Sequence, residues 1–167
     1  MGDQESAERK ATRMTAQRFL VPVDFSEDAN QAVQYAIDLA SKLGARVTLL
    51  HVIQPPPWGG VDMNVTLPYA YSLFIQKLET EVAHSMQACL ECVTAAGLEG
   101  EVAVVRGVPF QEILETAKMQ QVDLIVMGTH GRTGLQHVLM GSVAEKVVRL
   151  APCPVLVVRE PTIVPIS

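Results

Sequence analysis

The chain has 167 residues, of which 49% are hydrophobic and 19% charged, and its formal net charge is −5 at pH 7. This length indicates one domain, and this apolar content excludes both a disordered chain and a highly charged binder of polyanions. An acidic protein lacks the cationic surface that attracts nucleic acid or anionic membrane, so neither is an expected partner.

The cysteine count and the chain ends bear on location and domain organisation. Three cysteines form no disulfide framework, which is typical of a reducing cytoplasm, and no apolar run approaches the roughly 18 residues of a membrane span. We expect residues 1–18 to be a flexible tail, because they mix acids and bases without an apolar stretch. We therefore expect a single domain over residues 19–160 and a C-terminal tail over 161–167. We also expect a cytoplasmic protein with no membrane partner.

The first predicted elements are a strand and a helix. The apolar run over residues 19–23 predicts the strand, and Ser26 is suited to cap the helix that follows. Apolar residues then recur every three or four positions over residues 29–43, and Gly44 stands where the helix should end.

The rest of the chain continues this alternation. The continuous apolar run VTLLHVI predicts a second strand covered on both faces, as in parallel sheets. Four prolines and two glycines predict a long loop over residues 54–68. Further elements are predicted as a helix over 69–96, a strand over 101–105, a helix over 109–120, a strand over 123–127, a helix over 142–150 and a strand over 155–158. This order predicts a parallel sheet with helices on both faces.

The stretch VMGTHGRTGLQHVLMGSVAEKVVR has the pattern G-x2-G-x9-G-[ST], between the fourth strand and the last helix. Gly128 would let a ligand approach the strand end, and Gly131 permits backbone angles that direct amides to one point. Gly141 and Ser142 fall where a helix has unpaired N–H groups that bind phosphate oxygens. Arg132 is the nearest side-chain cation. The alternative is that these glycines are ordinary loop and capping residues.

Other nucleotide and hydrolase motifs are missing. The sequence contains neither GxxxxGK[ST] nor GxGxxG, so a P-loop enzyme and a dinucleotide dehydrogenase are not supported. It also lacks Gly-x-Ser-x-Gly, the pattern of many hydrolase nucleophiles.

Taken together, four segments resemble the universal stress protein family, in its ATP-binding branch. They are VPVDFSEDANQAVQYAIDLA, VTLLHVI, the G-x2-G-x9-G-[ST] run and AEKVVRLAPCPVLVVR, and the resemblance covers residues 19–158. It implies a Rossmann-like α/β fold, similar to adenine nucleotide alpha hydrolases, with a five-stranded parallel sheet of order 3-2-1-4-5. Ligands of such open sheets bind where the strand order reverses, here between strands 1 and 4.

The resemblance also implies the binding residues. It puts Pro22, Val23 and Asp24 beside the adenosine, the backbone of Val52 at the adenine edge, and Met127 with Gly128 along the crevice. The phosphates, usually with Mg²⁺ or Mn²⁺, would be held by Gly131, Gly141, Ser142 and Val143. Val23 departs from the family pattern, since ATP-binding relatives often carry threonine there. His130 and Arg132 are further candidate nucleotide contacts, because both lie in the glycine-containing loop.

Two candidates have structural alternatives. Asp24 could instead form a turn before a helix, but its position at the switch point favours the ligand role. Cys89 and Cys92 have the spacing of a redox motif, but they fall late in a predicted helix, so we expect both to serve packing.

Three functions remain open from the sequence. The favoured one is a regulatory protein whose loop over residues 128–142 becomes ordered when ATP, AMP or another adenine nucleotide binds. The second is a slow metal-dependent ATPase, although no obvious base or lysine marks a catalytic residue. The third is a homodimer that pairs through the edge strand at residues 155–158 and needs no ligand.

Overall fold

A computed structural model describes residues 17–54, 67–130 and 140–159. Within these ranges strands and helices alternate along the chain. They are β1 (Arg18–Pro22), α1 (Glu27–Leu43), β2 (Arg46–Ile53), α2 (Leu67–Ala95), β3 (Gly100–Arg106), α3 (Pro109–Met119), β4 (Leu124–Gly128), α4 (Ser142–Leu150) and β5 (Val155–Val158).

The five strands form one parallel sheet in the order β3-β2-β1-β4-β5, which confirms the predicted fold. β1 is the central strand: Phe19 is paired with Val47 of β2 on one side and with Leu124 of β4 on the other. The chain therefore changes direction across the sheet between β1 and β4.

The core has two layers, one on each face of the sheet. Alternate residues of β1 belong to different layers: Phe19 and Val21 pack with α1 and α2, whereas Leu20 packs with α3 and α4. Helices consequently cover both faces, as predicted from the continuous apolar strands.

Both ends of α1 have the capping residues that the sequence predicts. The Ser26 hydroxyl accepts a hydrogen bond from the Ala29 N–H at 3.2 Å, and Gly44 ends the helix in the left-handed conformation at φ 68°. Pro109 occupies the first turn of α3, where a missing N–H costs least. None of the helices in the described ranges is both long and apolar enough to cross a membrane.

Some boundaries differ from the sequence prediction. α2 begins at Leu67 rather than at residue 69, so Pro68 belongs to its first turn and not to the preceding loop. Arg18 belongs to β1 and not to the tail, because the Asp123 carboxylate accepts hydrogen bonds from the N–H groups of Gln17 and Arg18 at 3.0 and 2.9 Å.

Candidate functional site

A cleft of about 400 Å³ opens at the carboxyl ends of β1, β2 and β4, where the strand order reverses. Its volume lies in the range of small-molecule sites. Among the sequence-predicted site residues, ten line this cleft: Pro22, Val23, Asp24, Val52, Met127, Gly128, His130, Gly141, Ser142 and Val143. The remaining two, Gly131 and Arg132, lie outside the described residues.

A second depression, of about 840 Å³, runs along α1 towards α2 and β5. Its lining includes Asn30, Tyr35, Cys92 and Val158. Since it contains none of the predicted site residues, the cleft at the switch point is the candidate functional site.

The turn from β1 to α1 forms one side of the cleft. The Asp24 Oδ1 atom accepts hydrogen bonds from the N–H of Ser26 at 3.0 Å and from its hydroxyl at 2.5 Å. Between them, Phe25 has a φ of 64°, a conformation that costs a non-glycine residue roughly 1–2 kcal/mol. Asp24 therefore shapes this turn, and it also lines the cleft.

His51 is a cleft residue that the sequence did not single out. It is buried, its ring stacks on Phe25 with centroids 4.8 Å apart, and its Nδ1 lies 2.6 Å from the Val23 carbonyl oxygen. Because a carbonyl can only accept, Nδ1 carries the hydrogen and donates it. His51 thus fixes the end of β1 against β2.

Gly128 ends β4 where α1 packs closely. A Cβ at this position would lie 2.7 Å from the Asp28 Cβ and 2.8 Å from the Asp28 backbone carbon. Real Cβ atoms do not approach so closely, so the side-chain position of residue 128 is blocked by α1. The glycine allows this helix to pack closely, which differs from the sequence argument that it leaves space for a ligand.

Thr129 joins several elements at the rim of the cleft. Its backbone N–H donates to the Val158 carbonyl at 3.2 Å, and its own carbonyl accepts from the Gly141 N–H at 2.8 Å. Its hydroxyl donates to Asp28 Oδ2 at 2.8 Å, and the same oxygen accepts from the His130 N–H at 2.9 Å. The end of β4 is therefore tied to α1, β5 and the start of α4.

These hydrogen bonds lower the pKa of the Asp28 carboxyl. Burial alone would raise its pKa, but the hydrogen bonds from Thr129 and His130 outweigh burial and hold the pKa below the ordinary value of 3.8. The carboxyl is consequently ionised at neutral pH.

The amino end of α4 faces the cleft through Gly141, Ser142 and Val143. The first-turn N–H groups of any helix have no acceptor within the helix and carry partial positive charge, which suits phosphate oxygens. The Gly141 N–H already donates to Thr129, so the amides offered to an anion are those that follow Gly141.

The described residues contain no group of three acidic, histidine or cysteine side chains that could hold a metal ion. Cys89 packs partly buried beside the core, and burial together with the neighbouring Cys92 raises the pKa of its thiol. Cys92 is exposed, so the expected packing role is wrong for that residue.

The parallel sheet and its cleft define a doubly wound α/β protein with a cleft at the topological switch point. The model of the Universal stress protein family matches residues 15–159, and the chain belongs to this family.

Individual relatives agree with this assignment. Universal stress protein MJ0531 of Methanocaldococcus jannaschii is 34% identical over 144 residues, which cover 86% of this chain and 82% of that protein. The solved structure of MJ0577 from the same organism is similar at a TM-score of 0.79 and 30% identity, covering 89% of this chain and 99% of that one.

Two more distant solved structures share the fold and contain adenine nucleotides. One is a universal stress protein in complex with cAMP, at 23% identity and a TM-score of 0.65, covering 86% of this chain and 97% of that one. The other is the Archaeoglobus fulgidus protein in complex with dAMP, at 22% identity and a TM-score of 0.60, covering 84% and 96%.

Proposed function

We propose that this universal stress protein is a cytoplasmic regulatory protein that binds an adenine nucleotide, with ATP favoured, in the cleft at the switch point. The observation that carries the proposal is the meeting of three predicted segments: the end of β1, the end of β4 and the amino end of α4 line one cavity. The end of β1 is about a hundred residues away from the other two segments in the sequence, and ligands of open α/β sheets bind at this location.

The chemistry of the cleft suits the parts of such a ligand. Apolar walls at Val23, Val52 and Met127 suit an adenosine, and Asp24 suits a ribose hydroxyl. The N–H groups of Ser142 and Val143 suit phosphate, and Mg²⁺ or Mn²⁺ would be held through the phosphates. The complexes with cAMP and dAMP in the same fold support the adenine class.

The first experiment identifies the bound nucleotide. Freshly purified protein is denatured and the released small molecules are analysed, and the apo protein is then titrated with Mg-ATP, AMP and cyclic AMP. A ligand at 100 times its dissociation constant should stabilise the protein by about 2.7 kcal/mol, which raises Tm by roughly 5–10 °C. Absence of both a retained nucleotide and stabilisation by any of the three would refute the proposal.

A charge test at Ser142 locates the phosphates. Ser142→Glu places an acid in the first turn of α4, where it favours the helix but repels phosphate. We expect Mg-ATP binding to weaken at least tenfold while thermal stability is kept, whereas Ser142→Gln, which has the same size without the charge, should bind far better than Ser142→Glu. Equal affinities in the two variants would place the phosphates elsewhere.

The proposal includes ordering of residues 128–142 on binding, although residues 131–139 lie outside those that the structure describes. Backbone hydrogen exchange measured over this segment should slow when Mg-ATP is added. An unchanged exchange rate with bound nucleotide would remove the ordering step from the proposal.

We also propose a homodimer that forms through β5. This strand lies at one edge of the sheet, and its four apolar residues are all partly exposed. Pairing two copies of the edge would cover them. Sedimentation at micromolar concentration should show a dimer that Val157→Lys dissociates, whereas Val104→Lys on the opposite edge strand β3 should leave it intact; a wild-type monomer would refute this part.

A further inference from the structure

A carboxylate behind the cleft spans two elements that are distant in the sequence. Asp28 lies in the first turn of α1, and its Oδ2 accepts the Thr129 hydroxyl at 2.8 Å and the His130 N–H at 2.9 Å. The His130 Nδ1 lies 3.2 Å from the same oxygen. One oxygen of Asp28 thereby holds two consecutive residues at the end of β4.

Thr129 carries this restraint onward to α4. Its side chain is 5% exposed, and its carbonyl accepts the Gly141 N–H at 2.8 Å. Gly141 is the residue that caps α4, and Ser142 begins the helix. The position of the Thr129 peptide therefore sets where the amino end of α4 lies relative to β4.

The contact between α1 and β4 leaves little room for adjustment. At Gly128 the space that a Cβ would take is filled by the Cβ and the backbone of Asp28. Asp28 itself does not line the cleft, whereas Gly128, Thr129 and His130 do. Its effect on a ligand must pass through these neighbours.

We infer that Asp28 is a positioning residue that aligns the phosphate-binding end of the cleft, acting through Thr129 on the start of α4. The inference rests on the proposed function and adds a residue to that site. It has a selective consequence: loss of the Asp28 hydrogen bonds should weaken contacts to phosphate and leave contacts to the adenosine unchanged.

The experiment compares ATP and adenosine binding by Asp28→Ala, which removes the accepting oxygen, and wild-type protein, using calorimetry on the full chain. We expect ATP to bind about tenfold more weakly and adenosine to bind within about twofold of wild type. The matched control is Glu27→Ala, which removes a carboxylate side chain from the same helical turn at an exposed position and should leave both affinities unchanged.

Thr129 provides an independent pair of variants. Thr129→Val removes the hydroxyl with little change of shape, whereas Thr129→Ser keeps it. Valine should reproduce the selective loss of ATP affinity and serine should restore it, and the losses from Asp28→Ala and Thr129→Val should not add in the double variant. This pair carries the test if Asp28→Ala does not fold.

The outcomes separate the two proposals. If wild-type protein binds no nucleotide, the proposed function fails and the role of Asp28 falls with it. If wild-type protein binds ATP but Asp28→Ala binds it equally well, or loses ATP and adenosine affinity to the same extent, the site stands and the positioning role is refuted.

Discussion

Substituting Gly128 by alanine tests whether this glycine serves the packing of α1 or the approach of a ligand. The new methyl group would lie 2.7 Å from the Asp28 Cβ, 2.8 Å from its carbonyl carbon and 2.9 Å from its carbonyl oxygen. Two of these three neighbours are backbone atoms, which cannot rotate away, so the first turn of α1 has to move. Overpacking of this kind costs typically 1–3 kcal/mol, and we expect about 2 kcal/mol here.

Urea unfolding measures this cost directly. In thermal unfolding, the same loss of about 2 kcal/mol should lower Tm by roughly 4–8 °C in a domain of this size. Gly44→Ala is a matched control, because Gly44 has a positive φ of 68° but open space around its Cβ position. In Gly44→Ala, the left-handed backbone conformation alone should reduce the free energy of unfolding by about 1 kcal/mol. Gly128→Ala should therefore be the more destabilising change.

If Gly128 serves packing, the alanine variant should lose stability in the apo protein as well. If Gly128→Ala unfolds within about 0.5 kcal/mol of wild type and loses only nucleotide affinity, the glycine serves the ligand and the close approach of α1 is not limiting. A matching loss of stability with and without nucleotide would support the packing role.

Three further predictions concern Ser26, Asp28 and Met86. Ser26→Ala removes the N-cap of α1 and should cost about 1 kcal/mol in urea unfolding, whereas Ser41→Ala, which removes a hydroxyl bonded to Ile37 within the same helix, should stay within about 0.5 kcal/mol. The pKa of Asp28 is lower in the folded than in the unfolded chain, so its contribution to stability is present above about pH 4 and is lost as pH falls through the folded value. The difference in unfolding free energy between wild type and Asp28→Asn should therefore shrink as the pH is lowered below about 4. Met86→Ala empties a fully buried site and should cost roughly 2–5 kcal/mol by thermal or urea unfolding, whereas Met119→Ala, at a side chain that is 73% exposed, should change little.

Much of the fold was predictable because its signals are local. The cap at Ser26, the stop at Gly44 and the proline that opens α3 each depend on a few adjacent residues. The strand order came from the resemblance to a family, since periodicity alone predicts a parallel sheet without its order. Boundaries shifted where distant residues intervene, as at Arg18, whose N–H is bonded to Asp123.

The site was predictable in part for the same reason. Its glycines and its Asp24 occur in recognisable local patterns, and those that the structure describes line one cleft. The sequence identifies Asp28 only as an acidic residue in the first turn of a predicted helix. Its partner Thr129 is 101 residues away, and no periodicity or motif connects two such positions. His51 was missed because a single histidine in an apolar strand carries no signal of its surroundings.

The central place of β1 has a consequence for folding. This strand is made first, yet one of its two neighbours, β4, begins at Leu124, so about a hundred residues must be synthesised before its second edge can pair. Contacts this distant in the chain make a parallel sheet slow to assemble. Until β4 has been synthesised and has paired with β1, Phe19, Leu20 and Val21, which are buried in the folded protein, lie beside an unpaired strand edge. A growing or truncated chain that ends before residue 124 should therefore be prone to aggregate and dependent on chaperones, because it carries the central strand without the partner that completes both the sheet and the cleft.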